Sequence, residues 1–355
     1  MNNNRPCPLC EKEADRKYSG HPGYKQSETF TIYHCRHCGT AFCHPQQVES
    51  TLYEQIYKNI GSLPGYSRYL KYAEQALNEK DPLKYLAQAE DIYWAIQQYF
   101  KTHKPRKILE IGSGHGYLTY ALRCKGLDVT GLDISQTAVD AARKKYGDYF
   151  VCADLFHYCR SFQGHYDTVI LTEVIEHVSD VKSFLKAIDL ILQPGGDLVL
   201  TTPNRSLYPS DILWETEPPP VHLWWFSEKS LKVFANYLGY RLKLTDFSEY
   251  NRINPPDPYL PIRNYHPTRS SRFASDGQIL HQGDFIHYPV GGAPQSNRRN
   301  KIKQFLKTIK VLYIVSAMKN KIQTAYRNIQ KKINHRSRRT VLCAVLTKPK
   351  ENHRD

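Results

Sequence analysis

Residues 107–117 read KILEIGSGHGY. Lys107 to Ile111 is a short β-rich apolar run, a glycine-studded loop follows without a break, and a helix is expected to begin near Tyr117. Glycines at such a junction let the chain turn tightly and bring its backbone close to a ligand, which side chains would block. A dinucleotide fingerprint would need G-x-G-x-x-G. Here the glycines stand at 112, 114 and 116, and Tyr117 occupies the last position, which weakens a dehydrogenase reading.

Outward from this loop the same alternation repeats. LDVTGLDI, YFVCAD, YDTVILT, GDLVLTT, RLKLTDF and, much later, TVLCAVL are short apolar runs separated by helical stretches. Strands alternating with helices imply a parallel sheet covered on both faces. Pro194-Gly195-Gly196 is expected to turn into the fifth strand, and Leu238-Gly239 to end a helix. Asp133 closes the second run, about 20 residues beyond the glycine loop, where a carboxylate can accept both ribose hydroxyls of a bound nucleoside. Asp154 closes the third, placed to meet an adenine amino group.

Together these residues resemble the class I S-adenosylmethionine (SAM) dependent methyltransferases over about 107–349. The resemblance implies an α/β fold: a Rossmann-like seven-stranded sheet with helices on both faces. It also implies SAM held by Glu110, Gly112, Gly114, Gly116, Asp133 and Asp154. Directly after the fourth strand comes Glu173-Val174-Ile175-Glu176-His177-Val178. On a helix starting there, Glu173, Glu176 and His177 would share one face, a credible oxygen and nitrogen set for Mg²⁺ or Mn²⁺. The motif looks like the E-x-x-E-H of ubiquinone-pathway O-methyltransferases and small-RNA 2′-O-methyltransferases, in which it binds a metal. In the RNA enzymes a second His follows a T-P-N turn; Thr202-Pro203-Asn204 followed by His222 matches that order. Two other readings stay open: an imidazole as general base without metal, and two carboxylates merely favoured at a helix N-terminus.

Cys7-Pro8-Leu9-Cys10 and Cys35-Arg36-His37-Cys38 form two C-x-x-C knuckles, a sulfur set suited to Zn²⁺. With the LYEQIYK link that follows, this segment resembles the head of a bacterial methyltransferase family often associated with surface polysaccharide or glycan modification. The resemblance implies a structural zinc ribbon. The expected organisation is a zinc-binding ribbon over 1–48, a helical linker or cap over 49–104 and a SAM-binding domain over 105–250. An insertion with a basic amphipathic helix would span 251–339, with the final strand at 340–349.

The formal net charge of +15 is concentrated late in the chain, where residues 285–350 contain no Asp or Glu. Ile302, Phe305, Leu306, Ile309 and Leu312 recur at helical spacing among lysines. That helix could pack on the main domain, or residues 298–339 could contact a membrane surface or RNA. No apolar run is long enough for a transmembrane segment, no apolar stretch follows the opening Met-Asn-Asn-Asn-Arg, and a cytoplasmic location is expected. Trp214, Trp224, Trp225 and Phe226 surround His222, as acceptor-recognition rings or as core. The first expectation for function is O-methylation of a hydroxyl of a sugar or glycan precursor, with possible divalent-metal assistance and a small-molecule or glycan acceptor as the partner. An RNA methyltransferase and a non-enzymatic scaffold are the alternatives.

Overall fold

The computed structural model describes residues 4–49, 51–63, 66–208, 217–255, 271–280 and 337–350. The basic helix at 301–312, Trp214 and nearly all of the 298–339 contact segment lie outside them. No helix among the described residues is long and apolar enough to cross a membrane.

Four strands open the chain: β1 (Arg5–Pro6), β2 (Glu13–Pro22), β3 (Thr29–His34) and β4 (Ala41–His44). Four helices follow: α1 (Leu52–Lys58), α2 (Ser67–Asn78), α3 (Pro82–Ala89) and α4 (Asp91–Thr102). Alternation then begins with β5 (Ile108–Ile111), α5 (Tyr117–Arg123), β6 (Val129–Asp133), α6 (Gln136–Tyr146), β7 (Phe150–Cys152) and α7 (Leu155–Tyr158). It continues with β8 (Tyr166–Thr172), α8 (Val181–Ile191), β9 (Leu192–Pro203), β10 (Trp224–Trp225), α9 (Glu228–Leu238), β11 (Arg241–Leu244), α10 (Ser248–Ile253) and β12 (Val341–Thr347).

The main sheet runs β11-β12-β9-β8-β5-β6-β7. Pairing is parallel from β7 to β9, while β12 is antiparallel to both β9 and β11. The seven-stranded Rossmann-like sheet expected from the sequence is therefore present. Successive residues point to opposite faces of a strand, so Ile108, Ile170 and Val199 join the core under α2–α5. Leu109, Val169, Leu171, Leu198 and Leu200 join the one under α8 and α9. Several helices start at a side chain that caps them: Ser135 accepts from the Ala138 amide, Asp180 from Ser183, and Ser227 with Ser230 forms a reciprocal capping box.

Two local expectations are corrected. Pro194-Gly195-Gly196 does not precede the fifth strand but lies within it, as an irregularity where Gly195 has φ of 80° and the register against β8 shifts. No α-helix begins at Glu173: Ile175–His177 is a single 3₁₀ turn, and α8 waits for its Asp180 cap.

The first four strands do not stand apart. β4 takes β10 as an antiparallel neighbour, so the N-terminal sheet has five strands, the last from beyond residue 220. Trp224, Trp225 and Phe226 are each at most 2% exposed, in the core between the two sheets, and so serve packing there rather than acceptor recognition. Trp225→Ala is expected to cost about 3–5 kcal/mol, as truncation of a buried aromatic does. Chemical denaturation measures this, and a loss below about 1 kcal/mol would show the junction to be loosely packed.

Candidate active site and cysteine centre

Strand order reverses between β5 and β8, and in open α/β sheets the crevice at the carboxyl ends there receives ligands. A cavity of about 1070 Å³ opens at this place. Its walls include Glu110, Gly112, Ser113, Gly114, His115, Asp133, Asp154, Glu173, His177 and His222.

Gly112 has φ of 74°, and a Cβ there would strike the Val174 side chain. Gly114 has φ of 50°, and its amide donates to Asp133 Oδ2 at 2.8 Å, while the Ser135 amide donates to Oδ1 at 2.9 Å. Asp133 is thereby fixed at the end of β6. Glu110 accepts from the Thr119 hydroxyl, and burial pushes its carboxyl up to about 8. Asp154 caps α7 through the Phe156 amide and is exposed on the cavity rim. Gly116 is not on the cavity wall; a Cβ there would meet Phe150 and Ala142, so its bareness serves close packing of α5 and α6 against β7. The fit to a nucleoside ligand rests on orphaned atoms. Ser113 Oγ, His115 Nε2 and Tyr53 Oη are buried without hydrogen-bond partners, and all three residues line the cavity.

Beside the same cavity, one ligand atom each of Glu176, His177 and His222 lie within 4.8 Å of one another. The 3₁₀ turn presents Glu176 and His177, and the chain before β10 presents His222. Val221 O accepts from His177 Nδ1 at 2.7 Å, so Nε2 carries the lone pair. Burial lowers His177 to about 4; burial, then the neighbouring His177, holds His222 well below the usual imidazole range. Both rings are neutral at pH 7. Glu176 is 0% exposed; Thr202 donates to Oε2 at 3.0 Å, and Oε1 has no partner. Glu173 lines the cavity with φ of 55°, a strained conformation for a side-chain-bearing residue. Its carboxylate does not join the group of three. Burial, then the charge of Glu176, pushes Glu173 well above the usual carboxylate range, and burial raises Glu176 as well. The Glu176 carboxyl with its unpartnered Oε1, His177 Nε2 and the unpartnered His222 Nδ1 form an oxygen and nitrogen set that a divalent cation would satisfy.

The four knuckle cysteines also meet. Cys7 and Cys38 sulfurs are 3.8 Å apart, Cys10 and Cys35 sulfurs 3.5 Å, and all four lie within 4.8 Å. Four Zn–S bonds of about 2.3 Å at tetrahedral angles give S···S edges of about 3.8 Å, so the donors fit zinc. Burial pushes the Cys10 thiol up to about 12, which makes a cation the natural partner for thiolates there.

Sequence reasoning missed several wall residues. Tyr53 and Tyr57, one turn apart on α1, close over the cavity; the Tyr57 ring lies 5.6 Å from His115 and the Tyr53 ring 6.2 Å from His177. LYEQIYK carries that signal in its spacing. Tyr66, Tyr69, Tyr93 and Tyr117, four of the chain's 26 tyrosines, line the same space. Arg68 and Arg272 also line it, with Glu217 Oε2 4.0 Å from Arg272 Nε. No local pattern marks Arg272, whose place is set by backbone bonds from Arg272 and Phe273 to Tyr24 O.

If Asp133 organises the cofactor end, Asp133→Ala should weaken SAM binding at least about tenfold in calorimetry, about 1.4 kcal/mol. Wild-type affinity in that variant would remove Asp133 from the site.

Residues 85–243 match the family described as "Methyltransferase domain". A ubiquinone biosynthesis O-methyltransferase of Pseudomonas aeruginosa is 32% identical over 106 residues, 28% of this chain and 46% of that protein. One from Coxiella burnetii is 31% identical over 110 residues, 30% of this chain and 47% of that protein. The chain thus spans just under half the length of the curated relatives it matches. Among solved structures, a SAM dependent methyltransferase from Archaeoglobus fulgidus aligns with 79% of this chain and 99% of its own, at 15% identity and a TM-score of 0.41. Sheet order, glycine loop and family match together make residues 85–243 a class I SAM-dependent methyltransferase domain.

Proposed function

We propose that this chain is an O-methyltransferase that methylates a hydroxyl of a sugar or glycan precursor, assisted by Mg²⁺ or Mn²⁺ and stabilised by a structural zinc. The observation that carries the reading is the meeting of Glu176, His177 and His222 beside the cavity that also holds the glycine loop and Asp133. The family match and the O-methyltransferase names of the curated relatives support the reaction class.

Bound SAM would supply an electrophilic methyl on a sulfonium. A divalent ion held by Glu176, His177 and His222, with Glu173 close by, would lower the pKa of a hydroxyl that is almost never ionised at pH 7. The chain's own residues do the rest. Gly112 and Gly114 would leave room for the cofactor to approach the backbone, and Asp133, fixed by two amides, would accept from the ribose hydroxyls. Tyr53 and Tyr57 cover the cavity and exclude water from the reacting groups. Without metal, the free nitrogen of His177 or His222 would take the hydroxyl proton, since both rings are neutral at working pH. Phenols of Tyr66 and Tyr69 with the Arg272–Glu217 pair give the acceptor end donors and acceptors suited to a polyhydroxylated ligand.

Glu176→Gln and His222→Ala should each lower methyl transfer from labelled SAM to nucleotide sugars about 10²-fold or more, in the presence of Mg²⁺, with SAM affinity little changed. Full turnover in both variants would place the chemistry elsewhere.

A further inference from the structure

His222 occupies an unusual position. It lies in a short segment, 221–225, whose backbone is bonded on one side to the 3₁₀ turn and on the other to the cysteine module. On the first side the Leu223 amide donates to Glu176 O at 2.9 Å, Trp224 Nε1 to Val178 O at 2.7 Å and His177 Nδ1 to Val221 O at 2.7 Å. On the second, the Cys43 amide donates to Leu223 O at 3.0 Å, and Trp224 and Trp225 pair with Phe42 and Ala41. Among the described residues β4 is the one strand that pairs with β10, so the sheet that fixes this segment is the cysteine module's sheet.

The path from the sulfurs to that sheet is short. The second knuckle, Cys35–Cys38, joins β3 to β4, and Thr40 O accepts from the Cys35 amide at 2.9 Å. Cys38 O accepts from Ser227 Oγ at 2.7 Å, and Thr40 Oγ1 lies 2.6 Å from Ser230 Oγ, which locks the knuckle to the start of α9 just beyond β10. With four converged thiols at its centre, a module of some forty residues would draw much of its fold from a bound zinc. Loosening the knuckle would release β4, then β10, and with them His222.

We infer that the four-cysteine zinc centre is a positioning element of the methyl-transfer site: it holds His222 against Glu176 and His177 through the β4–β10 pair. This rests on the proposed roles of the cysteines and of His222. Zinc would govern the acceptor side of the cavity, while Asp133 and Gly114, which belong to the other sheet, keep their geometry without it.

The test is hydrogen–deuterium exchange on the full chain, zinc-loaded and after zinc is removed by a chelator. Protection of 221–225 and of the 176–178 turn should fall at least about tenfold on zinc removal, with 129–133 unchanged as the internal reference, and should return when zinc is restored. Unchanged exchange at 221–225 in zinc-free, folded protein overturns the inference. Should stripping unfold the chain, zinc-loaded Thr40→Val decides: faster exchange at 221–225 supports the coupling and wild-type exchange there overturns it. Mn²⁺ and SAM affinities taken on the same samples separate this from the function proposed above. Mn²⁺ affinity should fall at least about tenfold without zinc while SAM affinity stays within about twofold. Zinc-loaded protein that binds no Mn²⁺, yet shows zinc-dependent exchange at 221–225, sinks the divalent-ion reading and leaves the coupling supported.

Discussion

The missing side chain at residue 112 is the constraint around which the site is arranged. With φ of 74° and no Cβ, Gly112 lets Val174 press directly on the loop after β5. That contact brings the turn after β8 against the turn after β5, at the point where strand order reverses. One turn carries the ground on which a nucleoside can lie; the other carries Glu173, Glu176 and His177. A side chain at 112 would have to displace Val174, and with it the carboxylates on either side. Proximity of cofactor end and reacting end is thus a packing consequence.

The second consequence is electrostatic. Glu173 and Glu176 are drawn out of water by the same close approach, and no Lys or Arg pairs with either among the described residues. Buried carboxyls without cations are costly, and a fold keeps them where something supplies the missing charge or where a proton must be held. Neutral imidazoles from two distant stretches of chain complete the group. The strained backbone at Glu173 is a further sign that this turn is held in place by its surroundings rather than by its own preferences.

The sheet was legible because its signals are local and periodic: each apolar run is short, and α3, α6, α7, α8 and α9 each begin at an Asp or Ser that caps them. The convergence of Cys7, Cys10, Cys35 and Cys38 was legible for the same reason, as was the tight turn at Gly112 and Gly114. What escaped were features decided by tertiary contacts. Asp180, not Glu173, caps the helix after β8, so an i, i+3, i+4 face never forms and Glu173 stands outside the group that Glu176, His177 and His222 make. Gly116 belongs to helix packing although its spacing suited the ligand. The rings at 224–226 belong to the junction because β4 needs an edge partner, and nothing near Arg272 foretold its seat beside Tyr24.

In the proposed reading, two imidazoles and a carboxylate converge on one cation beside the cavity. Electron spin echo modulation of Mn²⁺ bound to the zinc-loaded protein, with SAM present, tests it most directly. Nitrogen couplings from two imidazoles, reduced to one in His222→Ala, are the predicted result. Bound Mn²⁺ without any imidazole nitrogen coupling would place the ion elsewhere and return Glu176, His177 and His222 to the interior as packing residues.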